Sequence, residues 1–449
     1  MILKQRYVFF VIVFYQIMNC LAFAQTISGP IELPSTFNPV GSGARAIGSG
    51  GAFISICDDG TCASWNPGGL AQLKHHECSF VNDLTHRIDY NNFSVDPSAE
   101  YEENNTAVDL NYISFVYQFT LFERYMIFAL NYQKLYDFNR NWDFSLNTNT
   151  YSFSKKANYS FHQDGDLSAI VMAYCIRIVP EFSIGVTYNL WENPFGVNGW
   201  EQVSKQRSQG MISFPDQTRF PFESRYTIYD RYRFKGRNLN LGILWKITPK
   251  ISFGAVFKTS FIADFKHERF LSSFLSMNNQ SPTTEKHVIT DKQFHMPKSY
   301  GIGLSYRFSD QLTASFDIYT TRWQDCFVED ESGQKRYPFV DVAITSPDID
   351  STYQLRMGVE YLYLNAHNSR YIVPFRWGLF YDPGPAHQKP DHFFGFTLGT
   401  GIASGPKVFD VAAQFRFGNN VGSSILKDMA FSQNVLEIKL YASFIYHFQ

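Results

Sequence analysis

A glycine-rich run near the N-terminus contains the residues whose spacing comes nearest to a known chemical motif. Gly41-x-Gly43-x-x-Ala46 fits the dinucleotide fingerprint, in which glycines let backbone N–H groups approach a pyrophosphate. That fingerprint also needs a buried strand before the glycines, a helix after them and an acidic residue about 20 positions on. Pro34 and Pro39 argue against a central strand before the run, and the acidic pair Asp58 and Asp59 comes too early. The match is weak, so the run must serve another purpose.

Other catalytic motifs are missing from the sequence. It has no Gly-x-Ser-x-Gly elbow, no Gly-Lys-Ser/Thr phosphate loop and no His-Glu-x-x-His, and His75-His76-Glu77 lacks the spacing of the last. A noncontiguous Ser/His/Asn site, as outer-membrane phospholipases use, stays an alternative. The sequence therefore predicts no enzyme, no metal site and no cofactor.

The cysteines and the overall charge limit the choice of partners. Five cysteines follow residue 24, and an odd count is a poor disulfide framework. Cys57 and Cys62 flank Asp-Asp-Gly-Thr, a spacing that suits a disulfide in an oxidising compartment, with two unpaired thiols as the equal alternative. The formal net charge of −2 gives no polyelectrolyte signature, so we expect no nucleic-acid partner.

The first 24 residues read as a secretory signal peptide. Lys4 and Arg6 form a positive region, residues 7–18 are apolar, and Ala22-Phe23-Ala24 is a small-x-small cleavage site. A lipoprotein signal at Cys20 is the competing interpretation. After residue 25 no stretch approaches the roughly 18 to 20 consecutive apolar residues of a membrane-spanning helix, so the mature chain is either soluble or crosses a membrane as strands.

From about residue 75 onward apolar and polar residues alternate with a period of two. Residues 299–308 place Tyr, Ile, Leu, Tyr and Phe on one face and Ser, Gly and Arg on the other, and residues 312–319 alternate likewise after the turn 309–311. Similar segments recur along the chain, and aromatic residues, which favour strands and membrane interfaces, make up 17% of it. We predict fourteen strands, near 76–90, 112–119, 125–132, 167–178, 182–190, 238–247, 251–261, 299–308, 312–319, 353–363, 370–382, 392–402, 407–417 and 436–448.

The connections between these segments alternate between short and long. Periplasmic turns of outer-membrane barrels are short and their outer loops are long, whereas a two-sheet sandwich has no reason for strict alternation. The sequence thus predicts an all-β protein whose residues 75–449 form a 14-stranded antiparallel transmembrane β-barrel in a bacterial outer membrane, in contact with its lipid. A large soluble all-β fold is the alternative.

Residues 25–74 lack the period of two and contain the glycine-rich run. A barrel of fourteen strands is too wide for its own side chains to fill. We therefore expect this N-terminal segment to form a hatch, or plug, inside the lumen, with its glycines allowing the backbone to pack tightly against the wall.

The same run resembles the N-terminal signature of the FadL/TodX family of outer-membrane transporters for long-chain fatty acids and other hydrophobic compounds. The resemblance rests on Gly43-Ala44-Arg45, Gly50-Gly51-Ala52-Phe53, the acidic pair and Asn66 to Ala71, where Gly68 replaces the family's usual Ala. It implies a hatch with Arg45 as a structural donor or a ligand partner, and with Asn66, Pro67 and Gly68 at its tip.

The function that this resemblance implies is passive uptake of hydrophobic small molecules by loop capture, hatch rearrangement and lateral exit. Secretion-shuttle relatives, which hold a protein signal on the same architecture, suggest a binding or assembly barrel as the alternative. A transporter needs an apolar pocket that reaches the hatch and a gap in the wall, whereas a shuttle needs a wide outer mouth.

Ligand capture is expected in the long outer connections, because exposed apolar patches usually mark binding. The connection 195–234 is rich in large apolar residues, which bind ligand, pack together, or do both. Residues 261–275 suggest a short amphipathic helix that shelters an acyl chain, with cations near the carboxylate or simply solvated. The candidate substrate-binding residues are Phe195, Trp200, Phe214, Phe220, Phe222, Phe265, Phe270, Phe274, Lys266 and Arg269.

Overall fold

The computed structural model of the chain describes residues 41–151, 153–213, 218–277, 282–338, 344, 349–364, 371–426 and 429–448. Nearly all of these residues lie in one antiparallel sheet. In this described part, no helix is both long enough and apolar enough to cross a membrane. The predicted signal peptide and residues 25–40 lie outside the described residues.

The sheet contains twenty strands, numbered here in chain order. They are β1 His76–Phe93, β2 Tyr101–Leu121, β3 Arg124–Asp137, β4 Arg140–Thr150, β5 Phe153–Val179, β6 Phe182–Trp191, β7 Gly199–Ser213, β8 Arg219–Lys246, β9 Ile251–Lys258, β10 Phe261–Met277, β11 Thr283–Met296, β12 Ser299–Arg307, β13 Leu312–Thr321, β14 Phe327–Glu329, β15 Lys335–Arg336, β16 Thr352–Leu364, β17 Ile372–Tyr381, β18 Phe393–Ser404, β19 Lys407–Val421 and β20 Phe431–Phe448.

The sheet closes on itself, because the first strand pairs with the last. The β1–β20 ladder runs from His76 opposite Phe448 to Phe93 opposite Phe431. Fourteen of the twenty strands form the closed barrel. The predicted 14-stranded antiparallel barrel is therefore confirmed. The predicted turn at 309–311 does connect β12 to β13, and residues 248–250, which lie between two of the predicted strands, connect β8 to β9.

The two faces of the wall have the opposite polarity to those of a soluble protein. On β20, Leu440 and Phe444 are 47% and 43% exposed on the outside, whereas Glu437, Lys439 and Ser443 are buried on the inside. Successive side chains of a strand point to opposite faces, so one face meets lipid and the other meets the lumen.

Beyond the membrane the outer connections continue as hairpins of the same sheet. Strands β5 and β8 have 27 and 28 residues, well beyond the roughly 9 to 11 that a tilted crossing needs. Their outer parts pair with β4, β7 and β10. The region 195–234 is therefore mostly a hairpin rather than an irregular loop.

The predicted amphipathic helix at 261–275 is wrong, because these residues form most of β10. This strand pairs with both β8 and β11. Ala263, Phe265 and His267 are buried, while Asp264 and Lys266 between them are exposed, which is the two-residue period of a strand. The partial helical spacing of the phenylalanines lost to this stronger alternation and to two flanking ladders.

Residues 41–74, called the inner segment here, lie against the lumen face of the wall. They form the helices Ala44–Gly48 and Cys62–Trp65 and the 3-10 helix Pro67–Gln72. Two wall glycines show how close the approach is. A Cβ atom on Gly185 of β6 would overlap Pro67, and one on Gly378 of β17 would overlap the backbone of Gly50.

We predict that Gly185→Val and Gly378→Val each displace the inner segment from the wall. Valine suits a strand, so the barrel should still assemble, but its side chain occupies space that the inner segment fills. Limited proteolysis of the folded barrel should then cut within residues 41–74, and small solutes should leak through it in liposomes. Gly196→Val is the matched control, since a Cβ there meets only the Asn193 side chain at 3.7 Å. An uncut, leak-free Gly378→Val barrel would contradict the prediction.

Candidate functional site

Arg45 joins the inner segment to the wall through a chain of buried charges. Its Nε and Nη2 donate to the two carboxylate oxygens of Glu360 on β16 at 3.0 and 3.1 Å. Its Nη1 pairs with Asp58 of the inner segment. Glu360 also accepts a hydrogen bond from Arg376 Nε at 2.7 Å, and Arg376 pairs with Asp410 at 2.6 Å. Arg45 therefore donates to carboxylates of the wall and of the inner segment.

Asn66, Pro67 and Gly68 lie directly on the inner face of β6 and β8. The Asn66 amide donates to the carbonyls of Ile54 and Ile243, each at 2.8 Å, and its Oδ1 accepts from the Gly68 N–H at 3.0 Å. Ser183 of β6 donates to the Gly68 carbonyl at 2.7 Å. The Asn66 amide is fully buried and forms hydrogen bonds to backbone groups of both the inner segment and β8. These bonds fix the position of the turn.

Further polar side chains of the wall hold the backbone of the inner segment. Asp317 of β13 accepts the N–H groups of Phe53 and Ile54 at 2.7 and 2.9 Å. Thr397 of β18 donates to the Gly48 carbonyl and accepts from the Gly50 N–H, both at 2.9 Å. The wall residues that form hydrogen bonds with the inner segment thus lie on widely separated strands. The inner segment therefore connects distant parts of the barrel wall.

Cys57 and Cys62 are buried free thiols in the described structure, so the disulfide considered from their spacing is not formed there. Cys57 Sγ donates to the Asn66 carbonyl at 3.5 Å, and burial raises the pKa of both thiols. They pack within an apolar cluster that includes Phe53, Trp65 and Leu70. Buried cysteines commonly behave as small hydrophobic residues in this way.

Asp59 is an ionisable group enclosed by the inner segment and β1. It is 5% exposed, and its Oδ1 accepts from the Thr61 N–H at 2.9 Å. Burial, and then the negative charge of Glu77, raise the pKa of Asp59 to about 7. The inner segment therefore contains a carboxyl group that titrates near neutral pH.

The outer end of the lumen is filled by an aromatic cluster. Trp200 and Phe265, two of the predicted binding residues, meet there with ring centroids 5.5 Å apart. Trp200 also contacts Phe138 and Tyr232, each at 4.6 Å. The cluster includes Trp191, Phe234, Phe294 and Trp323 as well, at the ends of the strands remote from the short turns.

The other predicted aromatic residues lie elsewhere. Phe220 and Phe222 belong to a separate small cluster at the far end of the β7–β8 hairpin, with Ile212. Phe195 is 66% exposed and meets the Tyr132 ring edge-on at 4.9 Å. Phe214 lies outside the described residues. The structure thus brings Trp200 together with Phe265 and, at a separate place, Phe220 together with Phe222, and it leaves Phe195 apart from both pairs.

The remaining candidates on β10 point to different surroundings. Phe270 stacks on His287 at 4.0 Å, and Phe274 lies beneath the Arg225 guanidinium at 5.3 Å. Lys266 is exposed. Arg269 is held by Asp230, with Nε to Oδ1 at 2.6 Å and Nη2 to Oδ2 at 3.0 Å.

That carboxylate is shared, which ties Arg269 into a network. Asp230 also meets His267 Nε2 at 2.7 Å and accepts from Gln202 Nε2 at 3.0 Å, and it is fully buried. Arg269 is therefore committed to a structural carboxylate instead of facing an open ligand site.

The wall is interrupted between β2 and β3. Strand β2 pairs with β1 as far as Tyr101, but its ladder with β3 ends where Tyr112 faces Gln133. In β3 the register against β5 shifts between Lys134 and Tyr136. Within the described residues, no ladder joins 101–111 to β3 or β4. The edge of β2 that faces β3 therefore has no ladder partner over residues 101–111 in the described structure.

A cavity of about 450 Å³, called the β2-edge cavity here, occupies this interruption. It is lined by six consecutive residues of β2, 104–109, together with residues 137–141, residues 162–164 and inward residues of β1 and β20. Successive side chains of a strand point to opposite faces, so a cavity that touches all six extends around the edge of β2. It therefore lies at the unpaired edge of β2.

Sequence reasoning missed both Phe138 in the aromatic cluster and the open edge of β2. Phe138 lies in a connection that was treated only as a long loop, and its aromatic neighbours Tyr136 and Trp142 were the available signal. The open edge depends on where a ladder stops, for which a single sequence gives no signal. In the described part of the chain, no group of three or more His, Cys, Asp or Glu side chains could hold a metal ion.

Comparisons with known proteins agree with this architecture. The family model for outer membrane protein transport proteins (OMPP1/FadL/TodX) matches residues 22–392. No curated protein sequence matches the chain.

Several solved structures share the fold. A FadL homologue of Pseudomonas aeruginosa is 13% identical with a TM-score of 0.58, and the match covers 94% of this chain and 100% of that one. The toluene transporter TodX of Pseudomonas putida is 13% identical over 91% and 98%, with a TM-score of 0.54. The toluene transporter TbuX of Ralstonia pickettii is 13% identical over 92% and 100%, with a TM-score of 0.51.

We predict that the inner segment loosens as the pH rises through neutrality. The folded-state pKa of Asp59 lies above its ordinary value of 3.8, so its stabilising contribution is complete below that value and is lost as the pH rises through about 7. Hydrogen exchange of residues 58–66, corrected for the intrinsic rate, should become about tenfold faster between pH 6 and pH 8.

Asp59→Asn should remove this pH dependence, because the amide stays neutral throughout. Asp310→Asn, at an exposed carboxylate in a short turn, should retain it. An Asp59→Asn protein that keeps the full tenfold change would assign the titration to another group.

Proposed function

This chain belongs to the outer membrane protein transport family (OMPP1/FadL/TodX), and on that premise we propose that it takes up hydrophobic small molecules passively. The proteins of this family are transporters and channels, and this chain is an outer-membrane β-barrel. We propose that it likewise has no catalytic role. The cargo would be long-chain fatty acids or aromatic hydrocarbons, driven only by their own gradient.

The observation that carries the proposal is the interruption of the wall between β2 and β3. An apolar molecule that reaches the lumen can leave sideways there, so it need not pass through the periplasmic end of the barrel. The β2-edge cavity lies at this point, and in this proposal it joins the inner face to the outer face. On the outer face of the barrel, Val108 of β2 lies opposite Leu84 of β1, within the apolar surface.

In this proposal residues 1–24 are the signal peptide, 25–74 the hatch and 75–449 the barrel. Arg45 and Asn66 anchor the hatch to the wall, and Pro67 and Gly68 seat it on β6 and β8. Capture would use the aromatic cluster that contains Trp200 and Phe265 at the outer end of the lumen. A hatch or loop rearrangement then has to open a path between this cluster and the wall interruption.

The alternative is a binding or assembly barrel that holds a protein partner. Such a barrel needs a wide outer mouth. The aromatic cluster buries Trp200, Phe234 and Trp323 at that end of the lumen, with exposures of 2% or less. The packed aromatic cluster at the outer end and the interruption of the wall together support the channel over the assembly barrel.

The direct test is uptake into liposomes that contain the purified barrel. Radiolabelled oleate and toluene should enter faster than through a control barrel that has an uninterrupted wall. Uptake of at least one of the two supports the proposal. If neither enters faster, and a protein partner copurifies stoichiometrically, the assembly function replaces it.

We predict that closing the wall interruption stops uptake. Asn141 Nδ2 donates to Asn105 Oδ1 at 2.9 Å across the gap, so a short bis-methanethiosulfonate reagent can cross-link cysteines placed at both positions. Cross-linked Asn105→Cys/Asn141→Cys should lose most of its uptake, and a reductant, which cleaves the reagent's disulfides, should restore it. Each single variant is a control that cannot bridge the gap. Unchanged uptake in the cross-linked double variant would exclude this route of exit.

A further inference from the structure

The β2-edge cavity has a polar lining, which is unexpected on the exit path of purely hydrophobic molecules. Side-chain amides of Asn104, Asn105, Asn139, Asn141 and Gln163 surround it. Pockets for apolar ligands are lined mostly by hydrophobic and aromatic side chains, with few polar groups. We therefore expect a ligand of this cavity to contain a polar group.

Two of these amides have unused donors. Gln163 is 2% exposed, and its Nε2 has no hydrogen-bond partner among the described residues. The same holds for Asn105 Nδ2, although Asn105 Oδ1 accepts from Asn141. Buried donors are normally satisfied, and an unsatisfied one beside a cavity points to an acceptor atom supplied from outside the chain.

The cations around the cavity already have carboxylate partners. Arg87 Nε lies 2.8 Å from Asp89 Oδ1, and Arg140 Nη1 lies 3.4 Å from Asp89 Oδ2. Lys439 Nζ lies 3.8 Å from Glu437 Oε1. A ligand carboxylate would have to compete with these acidic groups, whereas an uncharged acceptor needs only the amide donors.

Phe138 supplies the apolar side of the same cavity. It lines the cavity and also belongs to the aromatic cluster, with its ring 4.6 Å from that of Trp200. An apolar chain packed on this cluster would therefore place its end among the amides of Asn105 and Gln163. Phe138 therefore brings the aromatic cluster and the amide side chains next to each other.

We propose that the β2-edge cavity binds the uncharged, hydrogen-bond-accepting head of an amphiphile whose apolar tail lies against Phe138. The substrate class is then neutral amphiphiles, such as fatty-acid esters of polyols, in preference to free fatty acids and plain hydrocarbons. This inference rests on the proposed channel function and adds a preferred class of cargo to the fatty acids and aromatic hydrocarbons proposed above.

The test compares three ligands with the same length of tail on the full-length barrel in lipid nanodiscs. Radiolabelled 1-monooleoylglycerol, oleate and octadecene are measured by equilibrium binding, with binding to empty nanodiscs subtracted. The monoacylglycerol should bind about tenfold tighter than oleate or octadecene, a difference that corresponds to about one hydrogen bond.

Gln163→Leu should remove most of that preference. It replaces an unpaired donor with an apolar side chain of similar size, so the barrel should fold normally, which heat-modifiable gel mobility verifies. Affinity for the monoacylglycerol should fall about tenfold while affinity for octadecene stays the same. Asn105→Leu is a second variant with the same expectation. Asn158→Leu, on the exposed face of β5, is the matched control and should change neither affinity.

The outcomes separate this inference from the channel function. If oleate or octadecene binds at least as tightly as the monoacylglycerol, or if both amide variants keep its full affinity, the inference is wrong and the channel stands. If none of the three binds above the empty-nanodisc background, the inference and the proposed channel function both fail.

Discussion

The ladder between β1 and β20 closes the barrel, and the rest of the structure depends on this closure. Lipid offers the backbone no hydrogen-bond partners, so the sheet can cross a membrane only if it closes on itself. Closure with fourteen strands leaves a lumen that the wall's own side chains cannot fill, and the inner segment lies against the inner face of that wall. That segment in turn is placed by buried charges. Glu360 is held between Arg45 and Arg376, and a buried ion pair that loses one partner is strongly destabilising.

The fold was largely predictable because one physical rule repeats along the chain. In β12 and β13 the lipid face and the lumen face impose a strict alternation, and a short turn between them fixes the pairing. At β10 the alternation is harder to recognise, because phenylalanines at 261, 265, 270 and 274 also fit a partial helical spacing. Only the ladders with β8 and β11, which join residues distant in sequence, decide in favour of a strand.

The site was predictable only in part, because it depends on contacts between distant residues. Composition pointed to Trp200 and Phe265, which do meet, but also to Phe220 and Phe222, which lie at the far end of a hairpin. Large apolar side chains show that a region must be buried, but they do not specify which residues it packs against. The spacing of Cys57 and Cys62 likewise allowed a bond that the folded chain does not make.

The open edge of β2 has a consequence for the membrane around the protein. Residues 101–111 have ladder partners on one side only among the described residues, and their other backbone groups need water. Val108 in this edge is 70% exposed and pairs with Leu84, which pairs with Leu440, so the edge adjoins the apolar outer face. We therefore expect the adjoining bilayer to thin or to draw its headgroups inward, because this would keep the edge hydrated. The protein would then deform its membrane on one side, where polar headgroups meet the wall below the ordinary bilayer surface.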